Sequence, residues 1–145
     1  VRAGLKALKV KDTQMTITLK TSRDLVNAAV QAGLEKGVHI AAVVVDPGGH
    51  IVAAARSEKI GFINLDVAQR KATASITFMA PTHAVLEMIK ADSFLVDAVM
   101  QEPRVSIIPG GFPIMLGGVL VGALGVAGGH YTQDQAIGEE AIAVL

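Results

Sequence analysis

The stretch from Val105 to Gly129 contains no charged residue and reads VSIIPGGFPIMLGGVLVGALGVAGG. A long uncharged run is typical either of a membrane-spanning helix or of buried strands separated by turns. Gly118 and Gly122 even have the GxxxG spacing of paired membrane helices. However, Pro109 and Pro113 remove hydrogen-bond donors that a helix needs, and paired glycines cost a helix backbone entropy. The stretch therefore favours strands.

The glycine pairs divide this stretch into short segments. Leu116 to Gly118 has the pattern of a hairpin turn, because glycine adopts a positive φ without strain. The pattern predicts two adjacent antiparallel strands, about Gly111–Leu116 and Val119–Ala127. Since both are apolar on both faces, we expect other elements to cover them on both sides.

Periodicity elsewhere predicts the remaining elements. Apolar residues at helical spacing predict helices at Thr21–Gly37, Ile63–Phe78, Thr82–Lys90 and Ser93–Gln101, and a closing helix that begins at Thr132. Runs rich in β-branched residues predict strands at His39–Val45, His50–Arg56 and Val105–Ile108. Hairpin connections dominate this order. It therefore predicts an α+β fold with a five-stranded, mostly antiparallel sheet and helices packed on it.

The same patterns predict local details. We expect Thr21 and Thr132 to be helix N-caps, completed as capping boxes by Asp24 and Gln135. Neither strand of the first hairpin alternates cleanly, so both of its faces should be covered. In the helix that begins at Ser93, the residues expected to face inward are Leu95, Val96 and Val99.

Charge and composition exclude several classes of function. Thirteen Lys and Arg balance thirteen Asp and Glu, so electrostatics give no reason to expect a nucleic acid or an anionic membrane as a partner. The chain has no cysteine, which excludes disulfides, thiolate metal sites and a cysteine nucleophile. An apolar fraction of 51% is high for a soluble domain of 145 residues. We therefore expect a homo-oligomer with an apolar interface; the alternative is a monomer with a tight Ala/Gly core.

The beginning of the chain differs from the rest. Residues 1–14 are basic and lack the long apolar segment and cleavage site of a signal peptide, which leads us to expect a cytoplasmic protein. We assign residues 1–16 to an N-terminal extension and residues 17–145 to one domain.

Two glycine-rich junctions are candidate binding sites. At Gly128–Thr132, GGHYT, a strand ends and a helix begins, so free N–H groups could hold a carboxylate there. The alternative is that these glycines only permit a sharp turn. At Pro109–Pro113, PGGFP, the glycines allow close approach to a ligand or a neighbour, and Phe112 offers a flat apolar face. A β-bulge at a sheet edge is the alternative there.

Single cations and histidines are further candidates. Arg56 and Lys71 could pair with a ligand carboxylate, although isolated cations are usually solvated surface groups. The four histidines form none of the HxH, HxxxH or HExxH patterns, so we expect no metal site made by protein ligands alone. Any one of them could be the axial ligand of a haem iron, and the alternative for each is a surface or turn histidine. We find no GxSxG motif to support a Ser-His-Asp triad.

Several motifs together resemble one protein family. They are VVVDPGGHIVAAAR at Val43–Arg56, RKA at Arg70–Ala72, MAPT at Met79–Thr82, GGFPI, and GGVLVGALGVAGGHYTQD at Gly117–Asp134. In these motifs the sequence is similar to the GlcG/HbpS family, which also occurs as the C-terminal domain of PduO-type proteins. The similarity extends over about Ile17 to Leu145, nearly the whole chain.

The resemblance implies a profilin-like, three-layer α/β/α sandwich with a five-stranded antiparallel sheet. It also implies dimers that assemble further, often to octamers, and haem binding by several members. We therefore expect a small-ligand-binding protein that holds haem or a related carboxylated ligand at a subunit interface. The expected cofactor-binding residues are Arg56, Lys71, His83, Gly110, Gly111, Phe112, Pro113, Gly128, Gly129 and His130. His130 and His83 are the expected axial ligands.

Two other functions stay open at this point. One is an enzyme that acts on a small carboxylate or carbonyl metabolite in a catabolic pathway, with Lys71 or a histidine as acid and base. The other is a structural or regulatory assembly unit that binds no ligand.

Overall fold

The computed structural model describes residues 15–145. From Leu19 onward it contains helices α1 (Leu19–Glu35), α2 (Ile63–Phe78), α3 (Thr82–Ile89), α4 (Ser93–Met100) and α5 (Tyr131–Ile142). Its strands are β1 (Ala41–Val45), β2 (Ile51–Arg56), β3 (Gly111–Leu116) and β4 (Val119–Ala127). The α+β class and the antiparallel sheet are confirmed. The expected N-terminal extension lies almost entirely outside the described residues.

The four strands form one antiparallel sheet in the order β2-β1-β4-β3. The predicted hairpin of β3 and β4 is confirmed, with Leu116 opposite Val119. Its turn consists of Gly117 and Gly118, whose φ angles are 58° and 78°. Two successive positive φ values are those of the tight turn that matches the twist of paired strands, which explains the glycine pair.

The predicted fifth strand at Val105–Ile108 is wrong, because the segment pairs with no strand of the described chain. Instead, the backbone N–H of Ser106 donates a 3.0 Å hydrogen bond to the carbonyl of Arg70 in α2. The segment therefore runs along a helix rather than beside β3, and β3 is left as an edge strand.

Helices cover both faces of the central strands. On one face, Ala42 and Val44 of β1 join a core cluster with residues of α1 and α5. On the other face, Ala41, Val43 and Val45 pack against α2. All of β1 is buried, as expected for a strand covered on both sides.

Strand β2 is different, because α2 lies mainly over β1, β3 and β4. Ile51, Ala54 and Arg56 of β2 are exposed, so the expectation that both faces of the first hairpin are covered is wrong for this edge strand.

The helix ends differ by a few residues from the prediction. Thr18 caps α1 in place of Thr21, and His130 caps α5 in place of Thr132. In α4 no residue is fully buried. Leu95 is 44% exposed, so the prediction that it faces inward is wrong, and Val96 and Val99 are only partly buried. Within residues 15–145, no helix has the length and apolar character needed to cross a membrane.

Candidate functional site

A cleft of about 330 Å³ opens where β4 ends and α5 begins. Its walls come from α2, from the segment before β3 and from the junction between β4 and α5. The lining residues are Asn64, Val67, Lys71, Ile108, Ala127, Gly128, Gly129, His130, Tyr131 and Asp134. The volume is near the lower end of the range for small-molecule sites, about 300–1,000 Å³.

The cleft depends on an unusually close approach of α2 to β4. A Cβ atom at Gly125 would collide with the carbonyl oxygen of Ala68 in α2. Because glycine removes this obstacle, the helix packs directly against the backbone of the strand. This packing brings the side chain of Lys71, one turn further along α2, to the end of β4.

Lys71 and Asp134 form a buried ion pair at the cleft. Their side chains meet with Nζ 3.0 Å from Oδ2, and Nζ also donates a 2.8 Å hydrogen bond to the carbonyl of Val126. The two residues are only 1% and 2% exposed. Burial lowers the pKa of Lys71 and raises the pKa of Asp134, whereas their mutual attraction acts in the opposite direction on each. The pair connects α2 to α5 across β4.

The predicted PGGFP loop packs closely against this pair. A Cβ at Gly110, whose φ is 129°, would lie 2.9 Å from Lys71 Nζ. A Cβ at Gly111 would collide with the carbonyl oxygen of Lys71, and the N–H of Gly111 donates a 2.9 Å hydrogen bond to Thr82 Oγ1. These glycines therefore leave room for neighbouring groups of the same chain.

The backbone donors at the start of α5 are also engaged within the chain. The N–H of Gly129 donates to Asp134 Oδ1 at 2.9 Å, and the N–H of His130 donates to Gln133 Oε1 at 2.9 Å. The expectation that both N–H groups hold a ligand carboxylate does not fit this arrangement. The exposed His130 ring lies against Tyr131, with ring centroids 4.1 Å apart, and its Nδ1 is 2.8 Å from Thr132 Oγ1.

The remaining predicted residues do not line the cleft. Arg56 lies in register with Ala41 at the same end of the sheet, and its guanidinium donates to the carbonyls of Ser57 and Ile60 at 3.1 and 2.8 Å. His83 and Phe112 form a second group, with ring centroids 6.0 Å apart. The buried Nδ1 of His83 has no hydrogen-bond partner among the described residues. Pro113 lies in β3 opposite Ala123 and lines neither group.

Sequence reasoning placed ten residues at one site, and four of them line the cleft, namely Lys71, Gly128, Gly129 and His130. It missed the partner Asp134 and the wall residues, which are Asn64, Val67, Ile108 and Tyr131. An acidic residue in the first turn of a helix usually interacts with the helix dipole, so Asp134 gave no separate signal. Within residues 15–145, no group of three or more His, Cys, Asp or Glu residues could hold a metal ion.

The chain is an α+β protein with a four-stranded antiparallel sheet covered by helices. A small cleft with the Lys71–Asp134 pair at its base lies where β4 meets α5. A sequence model of the family described as "Haem degrading protein HbpS-like" matches residues 17–143. The chain belongs to this HbpS-like family.

Individual proteins show the same relationship. The chain is 29% identical, over 128 residues, to an uncharacterized 15.0 kDa protein in the dhaT-dhaS intergenic region of Citrobacter freundii, covering 88% of this chain and 90% of that protein. Its structure is similar to that of a double mutant of HbpS from Streptomyces reticuli, with a TM-score of 0.81 and 27% identity, covering 90% of this chain and 87% of that chain. The structure of a PduOC:heme complex shares the fold, with a TM-score of 0.80 and 24% identity, covering 90% of this chain and 95% of that chain.

Proposed function

We propose that this protein binds haem, or a related planar ligand with carboxylates, at the mouth of the cleft. The observation that carries the proposal is the exposed His130 imidazole, packed against Tyr131 beside apolar wall residues such as Ile108. A planar apolar ligand needs a flat apolar surface, and a single imidazole is enough to hold a haem iron. The haem-related name of the family supports the same ligand class.

The surroundings of His130 fit the role of an iron ligand. An imidazole that coordinates a metal through one nitrogen donates its other N–H to a neighbour. The hydroxyl of Thr132, 2.8 Å from Nδ1, can be that acceptor, whereas in the cap of α5 Nδ1 accepts the N–H of Thr132 at 3.3 Å; iron binding at Nε2 therefore requires the tautomer with a protonated Nδ1, which gives up this capping bond. Bound haem would supply an iron centre, and the protein would set its orientation and access. His83 is the second candidate, because its buried Nδ1 has no partner in the described chain.

The ligand carboxylates need a different partner from the one first expected. Lys71 already has Asp134 as its counter-ion. If Lys71 paired with a ligand instead, Asp134 would be left as an unpaired buried carboxylate, which costs about 3–5 kcal/mol. Arg56 is exposed, and its two described bonds use only part of its five-donor guanidinium. We therefore propose Arg56 as the residue that pairs with a ligand carboxylate.

A second copy of the chain would complete the ligand site in this proposal. The surface around the start of α2 is apolar, with Phe62 79% and Ile63 56% exposed. Apolar surface of this kind is typical of subunit interfaces. The proposal includes dimers that assemble further, a cytoplasmic location and the profilin-like three-layer arrangement expected from the family resemblance.

Hemin titration followed by absorption spectroscopy tests the haem proposal. We expect a shifted Soret band in the wild-type protein and its loss in His130→Ala. His50→Ala is the matched control, because His50 is an exposed histidine in the β1–β2 turn and should bind hemin like the wild type. The absence of a Soret shift in the wild type, or a shift unchanged in both His130→Ala and His83→Ala, would contradict the proposal.

A further inference from the structure

We propose that the cleft floor is a covalent site, at which the Lys71 amine forms an imine with a small neutral aldehyde or ketone and Asp134 carries the proton. This proposal goes beyond haem binding, which concerns the mouth of the cleft, and it gives a specific reaction to the alternative of an enzyme. It stands on the position, partners and surroundings of Lys71.

The nitrogen of Lys71 is held but not saturated. An ammonium group carries three hydrogens, and Lys71 Nζ has two partners among the described contacts, Val126 O and Asp134 Oδ2. One hydrogen of the nitrogen is therefore without a described partner, in a residue that lines the cleft. Gly110 packs closely on Nζ, since a Cβ there would lie 2.9 Å away, so a ligand can approach the amine only from the side of the cleft.

The charge of the floor selects the chemical class of the ligand. Lys71 and Asp134 neutralise each other, so an incoming carboxylate would compete with Asp134 for the same ammonium and be repelled by it. A neutral carbonyl group meets no such repulsion, and its oxygen can accept the remaining Lys71 hydrogen. Val67, Ile108 and Ala127 supply apolar wall for a short carbon chain. These features favour a small aldehyde or ketone over a carboxylate or phosphate.

The reaction is balanced with the groups that the floor supplies. Asp134 Oδ2 first accepts a proton from the Lys71 ammonium, and the amine lone pair then attacks the carbonyl carbon. A proton moves from nitrogen to the former carbonyl oxygen, giving a neutral carbinolamine. Asp134 returns its proton to the hydroxyl, the C–O bond breaks and water leaves. One ammonium and one carbonyl compound give one iminium and one water, with no oxidation or reduction.

The buried position of the two groups supports this proton exchange. Desolvation lowers the pKa of Lys71 and raises the pKa of Asp134, so each group is moved towards its neutral form. Desolvated lysines are a common source of nucleophilic amines in proteins. The surface lysines Lys59 and Lys90 are exposed, and so they serve as internal references.

Reductive trapping on the folded wild-type protein tests the proposal. The protein is incubated with butanal and sodium cyanoborohydride near neutral pH, digested, and each lysine is quantified by peptide mass spectrometry. We expect the butyl adduct on Lys71 to exceed that on Lys59 or Lys90 severalfold, because a lowered pKa leaves a larger fraction of the amine neutral near pH 7. Glyoxylate, the charged comparison, should modify Lys71 less than butanal does.

Two controls test whether the Lys71 adduct depends on the folded cleft. Trapping after denaturation should bring Lys71 to the level of the surface lysines, and Lys59→Arg should leave the Lys71 adduct unchanged. An adduct confined to surface lysines in the folded wild type would overturn the proposal, and this readout needs no variant to fold. Hemin titration of the same preparation distinguishes the two proposals, because a Soret shift without a Lys71 adduct rejects only the covalent site.

Discussion

At the scale of single residues, the buried Lys71–Asp134 pair has opposing effects on stability. Each charge loses its hydration, and the attraction between the two charges, together with bonds to Val126 O and the Gly129 N–H, offsets that loss. Replacing such a pair by apolar residues of similar size is often neutral or stabilising, by about 1–4 kcal/mol, whereas removing one partner is strongly destabilising, by about 3–5 kcal/mol. The pair is therefore weak evidence for a stabilising role, in keeping with the chemistry proposed for the cleft.

This argument predicts the stability of two variants. We expect Lys71→Met to lower the free energy of unfolding by about 3–5 kcal/mol, because it leaves Asp134 charged and unpaired. We expect Lys71→Met combined with Asp134→Leu to recover most of this loss. Chemical denaturation with a linear extrapolation measures both values. A double variant as unstable as the single variant would show that the pair is needed for the fold.

The same pair predicts how the difference in the free energy of unfolding between the wild type and the double variant depends on pH. The pKa of Asp134 is raised from 3.8 in the native state. Between these two pKa values the native state still holds a proton that the unfolded state has released, so the free energy of unfolding of the wild type falls as pH rises through this range. The pKa of Lys71 is lowered from 10.5 in the native state. Between these two pKa values the unfolded state holds a proton that the native state has released, so the free energy of unfolding rises as pH rises through this range. The stability of the double variant relative to that of the wild type should therefore be greatest at intermediate pH. Denaturation curves across the pH range check this, and a difference independent of pH would contradict it.

Residue types alone could identify Lys71 and His130 as candidates but not their actual partners. The Lys71 ammonium is paired with Asp134, sixty-three positions away in the chain, and no spacing rule predicts that pairing. Arg56 looked equivalent to Lys71 in the sequence, yet the structure places it in the exposed edge strand β2. Burial, which only the packed fold determines, makes the two cations different.

At the scale of elements, α1 shows why helix existence is easier to predict than helix ends. Thr18 and Thr21 are both suitable caps, and only the backbone geometry selects Thr18, whose Oγ1 accepts a 3.1 Å hydrogen bond from the N–H of Thr21. Likewise, Val105–Ile108 has the β-branched composition of a strand, but α2 takes the Ser106 N–H that a neighbouring strand would need. The β3–β4 hairpin was predictable with its correct ends because two glycines fix the turn.

Capping of α1 gives a matched pair of substitutions. Thr18→Ala should lower the free energy of unfolding by about 1 kcal/mol, because it removes the acceptor for the first helical N–H groups. Thr21→Ala, which removes a threonine of the same helix without removing that acceptor, should stay within about 0.5 kcal/mol of the wild type. Thermal or chemical unfolding of both proteins measures the difference. Equal losses would mean that the cap at Thr18 does not stabilise the helix.

At the scale of the whole molecule, α4 is the element whose stability is least explained by contacts within one chain. It contains eight residues and none is fully buried, while Phe94 is 79% exposed. An isolated helix of this length is not stable in water, and most helical stability comes from packing an apolar face. The described chain supplies α4 with few contacts, mainly to α3. A second copy of the protein that covers Phe94 would supply the missing contacts.

An assembly that buries α4 as well as the apolar surface at Phe62 predicts a specific effect of charge. Phe94→Glu should shift the protein to a smaller assembly in sedimentation velocity, because a carboxylate in an apolar interface loses its hydration without gaining a partner. Asn27→Glu, which adds the same charge at an exposed polar position of α1, should sediment like the wild type. A wild-type protein that sediments as a single protomer would contradict the proposed assembly. An unchanged assembly of Phe94→Glu would place the interface elsewhere, with the apolar surface at Phe62 as the next position to test.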